Sequence, residues 1–110
     1  MDFSEIKKIY FLGIGGIGMS ALARYFNDRG VEVHGYDLVN TSLTKKLEAE
    51  GMIIHYDIDV EKIPSGIDAV VLTPAIPTAH DELKWFEEHE YPILKRAEVL
   101  GLLSRNLKTV

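Results

Sequence analysis

"YFLGIGGIGMSALARYF", residues 10–26, sets four glycines within six positions, between an apolar run and a stretch with helical spacing. Glycine loses more backbone freedom on folding than any other residue, so the cluster marks a point where bare backbone is required. Before it, Ile9, Tyr10, Phe11 and Leu12 form a short β-rich apolar run, the pattern of a buried strand over residues 6–12. After it, Ile17, Ala21, Leu22, Tyr25 and Phe26 recur near helical spacing, and Gly30 closes the pattern. This predicts a helix over residues 17–28. Gly13, Gly15 and Gly18 therefore spell G-x-G-x-x-G with a strand before and a helix after, the context that lifts the motif above chance. There Gly13 serves a tight turn, Gly15 lets backbone approach a diphosphate, and Gly18 permits close helix–strand packing. The helix N-terminus presents unpaired N–H groups and the positive end of its dipole to the anion.

The same alternation continues along the chain. Residues 31–36 read as a second strand and 41–50 as a helix, capped by Thr41 or Ser42 and ended by Gly51. Residues 52–56 read as a third strand, 60–63 as a helical turn before Pro64, and 68–73 ("DAVVLT") as a fourth strand. A loop with Pro74 and Pro77 leads to a helix over 81–89, a short strand over 92–94 and a last helix over 97–105. Strands alternating with helices predict an α/β domain built on a parallel sheet. Right-handed crossovers place helices on both faces, giving a doubly wound, three-layer αβα arrangement of about five strands.

Composition narrows the partners. The chain has 110 residues, enough for one core but small for a complete enzyme. Its net charge of −5 provides no general basic field, so nucleic acid is not an expected partner and any bound anion must be held by local geometry. No run of eighteen apolar residues and no signal-peptide pattern occurs, so no membrane partner is expected either. Cysteine is absent, which excludes disulfides and thiol chemistry and suits a reducing cytoplasm.

In dinucleotide-binding folds an acid about 20 residues past the glycines holds a ribose hydroxyl. Asp37 closes "VEVHGYD" nineteen positions after Gly18, although it equally suits a turn before Asn40 and Thr41. At this point NAD, FAD or any ribose diphosphate fits.

Longer stretches are more specific. "FLGIGGIGMSALARYF" followed by "GYDL", then "VVLTPAIP" and "YPILKRAEVLGLLSR", resembles the N-terminal domain of the Mur ligases from Ile9 to Arg105. Within that family it is most similar to the branch that adds L-alanine to UDP-N-acetylmuramate. The resemblance implies a Rossmann-like domain of five strands that binds UDP, not a nicotinamide cofactor. It implies that Gly13, Gly15, Gly16, Ile17 and Gly18 lie along the diphosphate. Tyr36 and Asp37 match the family's Ser-Asp pair near the uridine, with a tyrosine ring where serine is common. Thr73, Pro74, Ala75 and Ile76 match the loop that closes over the nucleoside, Thr73-Pro74 replacing Ser-Ser. Lys95 and Arg96 keep the family's basic pair, which equally suits a solvated helix start.

The family's ATP site uses a G-x-x-x-x-G-K loop followed by Ser or Thr, and no such run occurs here. The resemblance therefore places ATP, Mg2+ and L-alanine on further domains, leaving no catalytic residue and no metal ligand in this stretch. It divides the chain into a UDP-binding unit, residues 1–107, and the start of a central ATP-binding domain at 108–110, where "NLKTV" begins to read as a strand. On this expectation the chain is one domain of a cytoplasmic ligase of peptidoglycan-precursor synthesis, cut at a domain boundary and inactive alone. A sibling ligase adding a peptide or another amino acid, and a NAD-binding or ligand-sensing Rossmann module, are the alternatives. The four histidines lack metal-ligand spacing, and His34 reads as a packed strand residue. Trp85-Phe86 reads as half core, and "ELKWFEEHE" as an amphipathic helix with a solvated acidic face.

Overall fold

In a computed structural model of the chain, residues 5–107 are described. Five strands, β1 (Lys8–Leu12), β2 (Glu32–Tyr36), β3 (Ile53–His55), β4 (Ala69–Leu72) and β5 (Ile93–Lys95), form one parallel sheet in the order β3-β2-β1-β4-β5. The helices are α1 (Ile17–Asp28), α2 (Ser42–Ala49), α3 (Asp81–Glu88) and α4 (Arg96–Leu107), with a 3-10 turn at Val60–Lys62. Every expected element through the last helix is present, with β1 to β4 trimmed at their ends by one or two residues and β5 shifted one residue on. α4 runs to Leu107, so Asn106 and Leu107 are helical where "NLKTV" reads as the start of a strand. The expected domain start at 108–110 lies outside the described residues.

Pleating divides the core between two faces. Ile9, Phe11, Val33, Ala69 and Val71 point to one face and pack with Met19, Leu22, Ala23 and Phe26 of α1, Leu47 of α2, and Val99 and Leu103 of α4. Tyr10, Leu12, Tyr36 and Val70 point to the other, against Leu83 and Phe86 of α3. Each fully buried side chain of this size contributes roughly 1.5–3 kcal/mol, so both layers are held chiefly by apolar burial. α1 ends because Gly30 turns with φ of +83° and returns the chain to β2, its N–H bonded to the Asn27 carbonyl. α2 starts on the Thr41 side chain, which forms a capping box with Thr44. His34 is buried within β2, as its position suggested, with Nε2 2.6 Å from Glu32 Oε2.

Register places the functional edge. Leu12 pairs with Tyr36 and Leu72, Tyr36 with His55, and Leu72 with Lys95, so all five strands end at one level. The chain leaves β1 toward the α1 face and leaves β4 toward the α3 face. This reversal opens a crevice beyond the carboxyl ends of β1 and β4, where open α/β sheets bind ligands. Among the described residues no helix is long and apolar enough to cross a membrane.

Candidate functional site

The glycine loop is fastened to its neighbours at every step. Gly13 turns with φ of +90°, and a Cβ there would stand 2.4 Å from Thr73 Cγ2. Its N–H and that of Ile14 both donate to the Tyr36 carbonyl, at 2.8 and 3.1 Å. The Gly15 N–H donates to Asp37 Oδ2 at 2.7 Å, while Asp37 Oδ1 accepts from the Val39 N–H at 3.0 Å. A Cβ on Gly15 would meet Asp37 Oδ2 at 2.7 Å and Thr44 Cγ2 at 2.9 Å. Bare backbone is thus needed there for Asp37 and α2, besides any diphosphate. Gly16 is the N-cap of α1 without a side chain to cap it, and the first-turn N–H groups that follow have no helical carbonyl to bond.

Gly18 serves a different neighbour from the one expected. A Cβ there would lie 2.2 Å from Arg96 Nη1 and 3.0 Å from Arg96 Cδ, so the glycine makes room for α4, not for a strand. Arg96 therefore brings its cation against the first turn of α1. Lys95 is exposed at the end of β5, its N–H donating to Glu98 Oε1 at 3.0 Å.

A cleft of about 490 Å3 opens at this edge. Of the residues singled out from sequence, Gly13, Gly15, Gly16, Tyr36, Asp37, Thr73, Ala75 and Ile76 line it. Pro74 is exposed and does not line it, and Gly18 lines a separate groove. Ile17 begins α1 beside the cleft, and its side chain lies outside the described residues. Sequence reasoning missed Leu38, Ile58, Pro77 and His80. Leu38 and Ile58 are exposed apolar side chains at 76% and 49%, so an apolar residue in a polar turn was the available signal. The separate groove, about 550 Å3, runs between α1 and α4 with mostly apolar walls of Ala21, Leu22, Tyr25, Leu100 and Leu103. Gly18, in the first turn of α1, and Arg96 line it as well.

Beneath the cleft lies a polar cluster. Glu82, read from sequence as part of a solvated face, is fully buried. Its carboxylate accepts from the Tyr10 hydroxyl and, at 3.1 Å, from the Asp59 N–H, and lies 2.9 Å from His55 Nε2. A buried carboxylate is retained because three partners meet it. Burial first, then the Glu82 charge and hydrogen bond, push the Tyr10 hydroxyl far above the usual tyrosine range. Tyr36 is nearly buried, its ring 4.9 Å from that of His80 and 5.7 Å from that of His55, so it forms floor and not a free stacking face. Its hydroxyl is raised too, by burial and then by Glu82, Asp37 and Asp57. Among the described residues no group of three His, Asp or Glu could hold a metal ion.

Residues 8–108 match the Mur ligase family, catalytic domain. A UDP-N-acetylmuramate–L-alanine ligase of Cytophaga hutchinsonii is 46% identical over 100% of this chain and 25% of its own length. A solved UDP-N-acetylmuramate-alanine ligase from Thermotoga maritima matches with a TM-score of 0.80 and 32% identity, over 93% of this chain and 23% of that one. A solved UDP-N-acetylmuramate:L-alanyl-gamma-D-glutamyl-meso-diaminopimelate ligase from Neisseria meningitides matches with a TM-score of 0.74 and 25% identity, over 83% and 29%. The chain spans about a quarter of the length of the curated relatives it matches. With sheet order, glycine loop and family match in agreement, this chain belongs to the Mur ligase family.

Proposed function

We propose that this chain is the UDP-binding part of a cytoplasmic ligase that joins L-alanine to UDP-N-acetylmuramate in peptidoglycan-precursor synthesis. One observation carries the reading: a single cleft joins the glycine loop, as far as the α1 N-cap Gly16, to Asp37 just past the end of β2. The diphosphate lies against the first-turn N–H groups of α1, where the helix dipole and Arg96 add positive potential. The Asp37 carboxylate has lone pairs left for a ribose hydroxyl, and the base lies toward Tyr36, Ile76 and Ile58. Among the solved structures, the L-alanine ligase at 32% identity favours this branch over the peptide-adding sibling at 25%.

The chemistry falls to parts of such a ligase outside this chain. There ATP, with Mg2+, transfers its γ-phosphoryl group to the muramate carboxylate, and the L-alanine amine displaces phosphate to form the amide. The sequence contains no ATP-binding loop of that kind, and among the described residues no cluster could ligate a metal, so the residues described here fit neither group. This chain's share is to bind and orient the UDP end, as a domain over residues 1–107.

Calorimetric titration of the 110-residue chain tests the reading. UDP and UDP-N-acetylmuramate should bind at millimolar to high-micromolar Kd, about −4 to −6 kcal/mol, and NADH more weakly. ATP turnover should be absent. Saturation by NADH with no response to UDP would replace the ligase reading with a nicotinamide-binding one.

A further inference from the structure

We propose that His80 reads the nucleotide base: its Nε2–H donates to a ring carbonyl of a pyrimidine seated at the aromatic end of the cleft. The inference rests on the nucleotide reading above and adds to it the residue that selects the base.

His80 is 5% exposed and lines the cleft. It caps α3, its Nδ1 accepting from the Glu82 N–H at 3.2 Å. An accepting Nδ1 carries no proton, so the neutral ring holds its proton on Nε2 and that atom is a donor. Nε2 is buried and has no partner among the described residues. A buried donor left unpaired is costly, and that cost is recovered when an acceptor arrives.

The surroundings decide which acceptor. Tyr36, Ile76 and Pro77 make this end of the cleft aromatic and apolar, suited to a flat base. The nearby charges are negative: Glu82 lies beneath, and Asp37 and Asp57 also raise the Tyr36 hydroxyl. No lysine or arginine lines this cleft. A phosphate is disfavoured there, whereas a neutral carbonyl oxygen is accepted. Uracil presents two ring carbonyls and adenine presents none, so the contact separates the two.

The test is calorimetry of the 110-residue chain with UDP, ADP, 2-thio-UDP and 4-thio-UDP, the last two replacing one carbonyl oxygen each by a weakly accepting sulfur. The wild type should prefer UDP to ADP by tenfold or more and bind one thio analogue about fivefold or more weakly. His80→Asn retains a side-chain oxygen to cap α3 but removes the imidazole edge. His80→Phe keeps the ring volume. Both should bind UDP about tenfold more weakly, leave ADP unchanged and lose the thio discrimination, with melting curves confirming the fold. Equal losses for UDP and ADP would make His80 structural and overturn the proposal. So would an unchanged UDP preference in a folded variant. If neither variant folds, equal wild-type affinity for UDP and both thio analogues overturns it. Wild-type chain that ignores UDP altogether overturns the nucleotide reading first.

Discussion

Asp37→Ala removes the carboxylate that ties the glycine loop to the end of β2. Its Oδ2 takes the Gly15 N–H at 2.7 Å and its Oδ1 the Val39 N–H at 3.0 Å. A hydrogen bond to a charged group is worth about 1.5–3 kcal/mol, and half-exposure of Asp37 places the Gly15 bond at the lower end, about 1.5. The Val39 bond, in an exposed turn, adds about 0.5 kcal/mol. The total, about 2 kcal/mol, should lower Tm by roughly 10 °C for a domain of this size. Loss of a charged contact to the ribose should weaken UDP by a further 1–2 kcal/mol, about 5- to 30-fold in Kd. Asp37→Asn separates the two effects. Its amide oxygen still accepts from Gly15, so most of the stability should remain, while the charge offered to the ligand is gone. Thermal melts by circular dichroism and UDP titrations measure both. An unchanged Tm in Asp37→Ala refutes the latch, and unchanged UDP affinity in either variant refutes the ribose contact.

Glu82→Ala leaves the Asp59 N–H without its acceptor and leaves the Tyr10 hydroxyl and His55 Nε2, 3.1 Å apart, with only each other, and should cost about 2–4 kcal/mol by urea denaturation. Glu82→Gln, which keeps an acceptor, should cost clearly less, and equal losses would show that the partners do not matter. Alkaline pH should weaken the fold through Tyr10. Its folded pKa is raised, so its contribution is complete below the unfolded value of about 10 and declines above it by about 1.4 kcal/mol per pH unit. Tyr36 and Tyr56 act in the same direction, and Tyr10→Phe should flatten the slope by about one proton. Gly101→Ala, inside α4 with nothing within 4 Å of an added Cβ and no positive φ, should raise stability by about 0.5–1 kcal/mol, whereas Gly30→Ala at φ of +83° should lower it.

What the sequence made legible was local. The apolar run before Gly13, the helical spacing after it and the terminating glycines at 30 and 51 are signals contained within a few residues, and the elements follow them closely. Asp37 was legible by distance along the chain, because one βαβ unit fixes how far the end of β2 lies from the glycine loop. What escaped depended on partners far apart. Glu82 looks solvated in "DELKWFEEHE" because its partners are 72, 27 and 23 positions away. His80 looks like any turn histidine until Tyr36 and the α3 backbone are folded against it. Gly18 shows the same limit, since only the folded chain brings Arg96, 78 positions on, against it. Gly35 was passed over inside its strand, yet a Cβ there would meet Ile14 at 2.8 Å and the Phe11 carbonyl at 3.0 Å.

On the nucleotide reading proposed above, these glycines set how the cleft would divide its ligand. Gly13, Gly15, Gly18 and Gly35 each yield space to a different neighbour, so the loop is held in shape before any ligand arrives and little ordering is left for binding. Only the Gly15 N–H is already committed to an anion, the Asp37 carboxylate. A phosphate about 5 Å from that carboxylate would be opposed by about 0.8 kcal/mol at the dielectric of water and about 3 kcal/mol at an effective value of 20. The dipole of α1 offsets about 0.3–1 kcal/mol of this. The balance moves a diphosphate away from Gly15, along the unbonded N–H groups at the start of α1 and toward Arg96, and leaves Asp37 facing a hydroxyl. Anion at the helix, hydroxyl at the carboxylate and flat ring at Tyr36 and His80 is the order of groups in a nucleoside diphosphate. A free diphosphate, lacking the hydroxyls and the base, should therefore bind this cleft far more weakly than UDP.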